Sequence, residues 1–388
     1  MLLYKYMENL YKQSIELHKK HGGKLETKNK VPLLNKEDLS LAYTPGVAGV
    51  CLAIAKDKEL AREYTIKKNT VAIVSDGTAI LGLGDLGPLA AIPVMEGKAA
   101  IFKEFGGVDA FPICLDTKDT EEIIKAVKLI APVFGGINLE DISAPRCFEI
   151  EERLRKELDI PVMHDDQWGA ATVTLAALIN ALKIIEVNKN DAVVVISGVG
   201  AAGVATGRLM HAYGITKTIF CDSKGIINSN RNDLTKEKIE LLKGSTNEEK
   251  NGGLEVAITD ANIFIGLSKP NILTAEMVKS MSSKPIIFAL ANPNPEITPE
   301  KAFEAGAYIV ATGRSDYPNQ INNSLVFPGA FKAMLDKKIP QFENKIFVTI
   351  AQALADMIEN PTPDKIIPSM FDKGVKETVY NAVSSLSL

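Results

Sequence analysis

Two pairs of adjacent carboxylates carry the most chemistry in this chain: Glu140–Asp141 in GINLEDISAPRC and Asp165–Asp166 in PVMHDDQWGAA. Each pair follows a stretch with the composition of a strand. Neighbouring carboxylates repel one another unless a cation or strong hydrogen-bond donors hold them. Hard divalent ions such as Mg²⁺ or Mn²⁺ take oxygen ligands of this kind. A lone acidic pair reads more simply as a helix cap or a solvated turn. Two pairs upstream of a glycine-rich nucleotide fingerprint point instead to a metal-assisted oxidoreductase.

The pattern G-x-G-x-x-G occurs twice. Gly198, Val199, Gly200, Ala201, Ala202 and Gly203, in VISGVGAAGVATG, follow a valine-rich strand and open a helix-forming segment. That is the setting in which a backbone approaches a pyrophosphate at a helix N-terminus. Asp222 ends the next strand, TIFCD, where an acid that binds a ribose is expected. It favours NAD over NADP, although Lys224 and Arg231 stand close enough in sequence to offset it. The earlier match, Gly82, Gly84 and Gly87, encloses Asp85, which would repel phosphate. It reads as a tight turn with a close backbone approach.

Other residues are chemical candidates with plain alternatives. Lys98, amid apolar neighbours in MEGKAAIFKEFGG, reads as a base whose pKa desolvation lowers, or as a lysine snorkelling from a helix. Tyr43, ahead of a Thr-Pro-Gly turn, is a phenol held as an acid or a packed aromatic. Asn292 in ALANPNPE and Asn323 in NQINNSLVFPG can donate to a carboxylate or carboxamide, or simply serve in turns. His18, His21, His164 and His211 have no metal-ligand spacing.

The elements that must position these groups alternate. TVAIVSD, AFPICLD, VFGGINLED and IPVMHDD read as buried strands that end in acids, with EEIIKAVKLIAPV and CFEIEERLRKELD as helices between them. Ligands bind at the carboxyl ends of such strands. From Gln167, GAATVTLAALINALKII reads as one long buried helix. The strand candidates DAVVVISG, TIFCDS, LEVAIT, IFIGL, PIIFALANP and AYIVATG follow in a doubly wound rhythm. The reading is therefore an α/β chain of two domains. Residues 1–166 form an α/β substrate and metal domain; residues 167–388 form a Rossmann-type dinucleotide domain with C-terminal helices.

At 388 residues the chain exceeds one ordinary core. Its 46% hydrophobic content, 24% charged content and net charge of −4 leave no basic footprint for nucleic acid. Apolar runs such as VTLAALINAL are shorter than a bilayer span, which argues against a membrane partner. The N-terminus lacks a continuous signal core. Cys51, Cys114, Cys147 and Cys221 are far apart, as reduced thiols in a cytoplasmic protein would be.

Taken in order, YTPGVA (43–48), SDGTAILGLGDLGP (75–88), MEGKAAIFKEFGG (95–107), INLEDISAP (137–145), HDDQWGAA (164–171), SGVGAAG (197–203), FALANPNPE (288–296) and NNSLVFPG (322–329) resemble the malic enzymes, and within them the short branch. The resemblance implies oxidative decarboxylation of malate to pyruvate with NAD or NADP and Mg²⁺ or Mn²⁺, in a homodimer. It implies Tyr43 as acid and Lys98 as base, with Asp165 supporting the base. It also implies Glu140, Asp141 and Asp166 as metal ligands, and Lys98, Asn292 and Asn323 at the substrate, with Asn292 also at the cofactor. The chain departs from the pattern at Ala79, where the long branch has a carboxylate-binding arginine, and at Trp168, where the short branch often has histidine. An amino-acid dehydrogenase on a similar frame would need no paired-carboxylate metal site. A nucleotide-sensing module would show no turnover.

Overall fold

The computed structural model describes residues 2–80 and 82–386. Ahead of the first strand lie α1 (Leu2–His21), α2 (Lys36–Ala42), α3 (Val47–Lys56) and α4 (Leu60–Tyr64). Asn35 caps α2, its side-chain oxygen accepting from the Asp38 N–H at 2.8 Å. None of the residues of α2, α3 or α4 is buried.

The first sheet is parallel, in the order β2-β1-β3-β4: β1 Thr70–Ser75, β2 Asp109–Cys114, β3 Gly136–Leu139 and β4 Val162–His164. Its crossovers are α5 (Pro88–Ile101), α6 (Thr120–Ile130) and α7 (Arg146–Glu157). Parallel strands buried on both faces need continuous apolar runs, and β1 is buried along its whole length. Asp119 caps α6 by accepting from the Glu122 N–H at 2.9 Å.

From β4 the chain passes straight into α8 (Asp165–Ile185). Residues 165–185 have the length and composition of a membrane span, contrary to the expectation from the shorter apolar run; yet 83% of the most apolar window is buried inside the molecule. The helix is apolar all round because it is the core pillar between the two sheets. Residues 36–56 also match a span by length and composition, but the chain breaks between α2 and α3.

The second sheet runs β10-β9-β8-β5-β6-β7. Its strands are β5 Val194–Ser197, β6 Thr218–Asp222, β7 Gly225–Ile226, β8 Ile263–Gly266, β9 Ile286–Ala289 and β10 Ile309–Thr312. All pair in parallel except the short β6–β7 hairpin. The order reverses at β5: α9 (Ala201–Tyr213) leads outward to β6, and the chain then returns to β8 on the other side. That reversal is where dinucleotides bind. The remaining helices of this part are α10 (Lys236–Leu242), α11 (Leu254–Ile258), α12 (Ala275–Lys279) and α13 (Pro299–Glu304). LEVAIT, read as a strand, is the helix α11: the run starts at Gly252–Gly253 and buries one face through Ala257 and Ile258. Short apolar runs do not separate strand from helix by periodicity.

The chain closes with α14 (Phe327–Lys337), α15 (Asn344–Asp356) and α16 (Val375–Ser384). These helices return to the first sheet's side. Phe327 and Phe331 of α14 pack on Phe102 at ring distances of 4.7 and 5.5 Å, and Phe347 of α15 stacks on Trp168 at 4.9 Å. One continuous apolar core therefore joins both sheets.

The loop after β5 depends on glycine where space is absent. A Cβ on Gly203 would lie 1.8 Å from the Gly198 carbonyl oxygen. Gly203→Ala is expected to force that loop open and raise the NAD(P) dissociation constant by at least roughly tenfold, about 1.4 kcal/mol. A cofactor fluorescence titration measures this.

Candidate active site

The sheet register builds the acidic cluster. Leu139 and His164 are paired across neighbouring parallel strands. The next residues, Glu140 and Asp165, therefore leave the sheet side by side at its carboxyl edge. Asp141 turns back with φ of 53°, a left-handed conformation that aspartate tolerates, and its N–H donates to the Asp166 carboxylate at 2.8 Å. Asp165 and Asp166 sit in the first turn of α8, where the helix dipole favours negative charge. The ligand oxygens of Glu140, Asp141 and Asp166 all lie within 4.8 Å of one another. Glu140 and Asp141 are buried and Asp166 opens to solvent. This hard oxygen set fits Mg²⁺ or Mn²⁺. Lys98 ion-pairs with Glu140 and Asp165, and His164 Nδ1 lies 3.8 Å from Asp166.

Lys98 projects from α5 into this cluster and is only 7% exposed. Its Nζ lies 2.5 Å from Glu140 Oε2, donates to the Asp165 carboxylate and sits 4.6 Å from the Phe327 ring centroid. Burial pulls the ammonium's pKa down, but Asp165 and Glu140 outweigh it and hold it above the ordinary lysine value. The expectation of a lysine pKa lowered by desolvation is thus corrected: Lys98 is buried, but amid carboxylates. Burial pushes the Glu140 and Asp165 carboxyls upward, with Lys98 opposing in both. Asn138 supports the group by donating to Glu140 Oε2 at 3.1 Å.

Asn323 belongs to the same neighbourhood. A Cβ built on Gly169 would lie 2.0 Å from Asp165 Oδ1 and 3.0 Å from the Asn323 Cβ, so both flank the start of α8. Asn292 lies just beyond β9 of the second sheet. Its carbonyl oxygen would lie 2.2 Å from a Cβ on Gly82, which shows the close backbone approach expected of the first glycine turn. Asp85 in that turn pairs with Lys118. Tyr43 stands apart. It is 66% exposed on the N-terminal arm, and its phenol has no hydrogen-bond partner among the described residues.

The second glycine loop caps β5 and opens α9. Gly198 has φ of 105° and packs against the Leu267 carbonyl, while a Cβ on Gly200 would meet nothing within 4 Å. The loop therefore offers open backbone at Gly200, as a bound pyrophosphate needs. Asp222 does end β6, but its carboxylate is already engaged. Arg231 grips it with two 2.8 Å bonds, Lys238 donates at 2.7 Å, and the Lys224 N–H donates at 2.9 Å. Burial opposes ionisation of Asp222, but Arg231 and Lys238 pull its pKa down to about 2. The Lys224 ammonium pairs with Asp233 instead.

Several groups near the site escaped the sequence reading. Lys238 lies in an unpatterned polar segment. Asp76 pairs with Arg146 at 2.8 Å and accepts from the Thr78 hydroxyl at 2.6 Å, beside the turn that carries Asp141. Glu151 is a buried carboxylate on α7; the signal for it was present, since it shares that helix's buried face with Cys147, Ile150 and Leu154.

The geometry agrees with comparisons to known proteins. The family described as "Malic enzyme, N-terminal domain" matches residues 22–155, and "Malic enzyme, NAD binding domain" matches residues 168–383. A bifunctional malic/malolactic enzyme of Bacillus subtilis is 51% identical over 98% of this chain and 93% of its own length. An NAD-dependent malic enzyme of Geobacillus stearothermophilus is 54% identical over 93% of this chain and 76% of its own. Other relatives are named NADP-dependent malic enzymes. The crystal structure of an NAD-dependent malic enzyme from Thermotoga maritima superposes with a TM-score of 0.93 at 49% identity, covering 96% of this chain and 98% of that one. This chain belongs to the malic enzyme family.

Proposed function

We propose that the chain oxidatively decarboxylates L-malate to pyruvate and CO₂ with reduction of NAD or NADP. The observation that carries this is the convergence of Glu140, Asp141 and Asp166 within 4.8 Å beside the buried Lys98. That cluster lies at the carboxyl edge of the first sheet. Glu140, Asp141 and Asp166 would hold a divalent cation, which would supply Lewis acidity, and a bound nicotinamide would supply the hydride acceptor. Lys98 accepts the C2 hydroxyl proton, with Asp165 orienting its Nζ. Of the two carboxylates paired with Lys98, Glu140 would also be a ligand of the cation, which would weaken its hold on the ammonium. Asn292 and Asn323 orient the substrate, and Asn292 also meets the cofactor. Gly198 to Gly203 cradle the pyrophosphate. Residues 1–166 serve as the substrate and metal unit, and 167–388 as the dinucleotide unit.

Tyr43 donates the proton to C3 of the enol in this reading. It stands on an arm whose exposed apolar residues, Leu10, Ile15, Leu34, Leu41 and Leu52, offer a face to a partner. A second copy of the chain covers this face in a homodimer, and Tyr43 completes a site only in that assembly. The enzyme works in the cytoplasm.

Three outcomes test the reading. Activity is expected to vanish in chelator, and Asp141→Asn is expected to weaken Mn²⁺ activation roughly 10–100-fold with partial recovery in excess Mn²⁺. Full turnover in chelator removes the metal assignment. Asp222→Ser is expected to raise the ratio of NADP to NAD efficiency, since Arg231 and Lys238 then lose their internal anion. An unchanged ratio places Asp222 away from the ribose. Mixed and reassociated Tyr43→Phe and Lys98→Met chains, each inactive alone, are expected to regain roughly a quarter of the parent activity if Tyr43 serves its partner's site. No regain assigns Tyr43 to its own chain.

A further inference from the structure

The first turn of α8 carries two groups of the site, Asp165 and Asp166, and its flanks are tied down from behind. Glu151, on α7 and 5% exposed, accepts the His164 N–H on Oε1 at 2.9 Å. Its Oε2 accepts from Gln167 Nε2 at 3.1 Å and from Trp168 Nε1 at 3.0 Å. The donors bracket the acidic pair, one residue before it and two after it. The first turn of a helix has free N–H groups and ordinarily frays. Here a buried anion gathers a backbone N–H and two side-chain donors, and the Trp168 ring is clamped on Phe347 at 4.9 Å with the planes 4° apart.

We infer that Glu151 is a positioning residue, which fixes the start of α8 and through it the placement of Asp166 toward the metal and of Asp165 toward Lys98. This rests on the metal reading given above. It also accounts for Trp168: its indole N–H donates to Glu151 while the ring fills the space against α15. Glu151 touches neither metal nor substrate. Its effect is geometric, because ligand oxygens must stay within tenths of an ångström of their places to chelate together.

Glu151→Gln keeps the shape but places an amide N–H where Gln167 and Trp168 already donate, so at least one buried donor loses its partner. The test is a direct Mn²⁺ titration of the full-length protein, following free Mn²⁺ by electron paramagnetic resonance, with NAD affinity and melting temperature measured alongside. Glu151→Gln is expected to raise the Mn²⁺ dissociation constant about tenfold while NAD affinity stays at the parent value. The double variant Glu151→Gln with Trp168→Phe, which removes one competing donor, is expected to recover part of that loss. An unchanged Mn²⁺ constant in Glu151→Gln overturns the inference, whatever the melting temperature does. If Glu151→Gln does not fold, Trp168→Phe decides alone: it keeps the ring stack and is expected to weaken Mn²⁺ roughly threefold. No change there overturns the inference equally. If the parent and Asp141→Asn bind Mn²⁺ alike, the metal reading itself fails, a result distinct from either of these.

Discussion

The structure depends on a cluster of carboxylates held at the ends of two neighbouring strands. Glu140, Asp141 and Asp165 are almost wholly withdrawn from water, Asp166 is part-exposed beside them, and Lys98 ion-pairs with Glu140 and Asp165. Buried carboxylates cost stability unless paired and hydrogen-bonded. A fold keeps such a group only where many contacts hold it in place, and this one is held from every side. The Asp141 N–H meets Asp166, Asn138 meets Glu140, and Lys98 is pressed over Phe327. A hard dication would find three oxygen ligands gathered there, from Glu140, Asp141 and Asp166.

The topology supplies the convergence at little cost. Two neighbouring parallel strands end at the same level, so a carboxylate pair after each becomes one cluster of four. The helix that follows β4 starts within the cluster and then runs as the core pillar to the second sheet. The helices after the second sheet return to wall the first, which puts Phe327 of α14 against Lys98. The two sheets thus share one packed core, and the backbone of Gly82 approaches that of Asn292 closely.

Much of this was legible in the sequence because its signals are local. Valine and isoleucine runs ending in acids marked the strands, and the strand–glycine–helix pattern marked the loop between β5 and α9. What failed depended on surroundings. LEVAIT is too short for its period to separate strand from helix. Lys98 is buried as read, but no sequence pattern shows that two carboxylates face it and reverse the direction of its pKa. Asp222 sits where expected, yet Arg231 and Lys238 reach it from a polar segment without periodicity. Tyr43 carries a family motif, but a motif says nothing about which surface of the arm is covered.

The most direct test of the account is the position of the ion itself. Crystals of the protein grown with Mn²⁺ and measured at the manganese absorption edge are predicted to give one strong anomalous peak, bounded by the carboxylates of Glu140, Asp141 and Asp166, with Lys98 beside it. A peak elsewhere, or none there at saturating Mn²⁺, would contradict the claim that these strand ends were built to hold a metal.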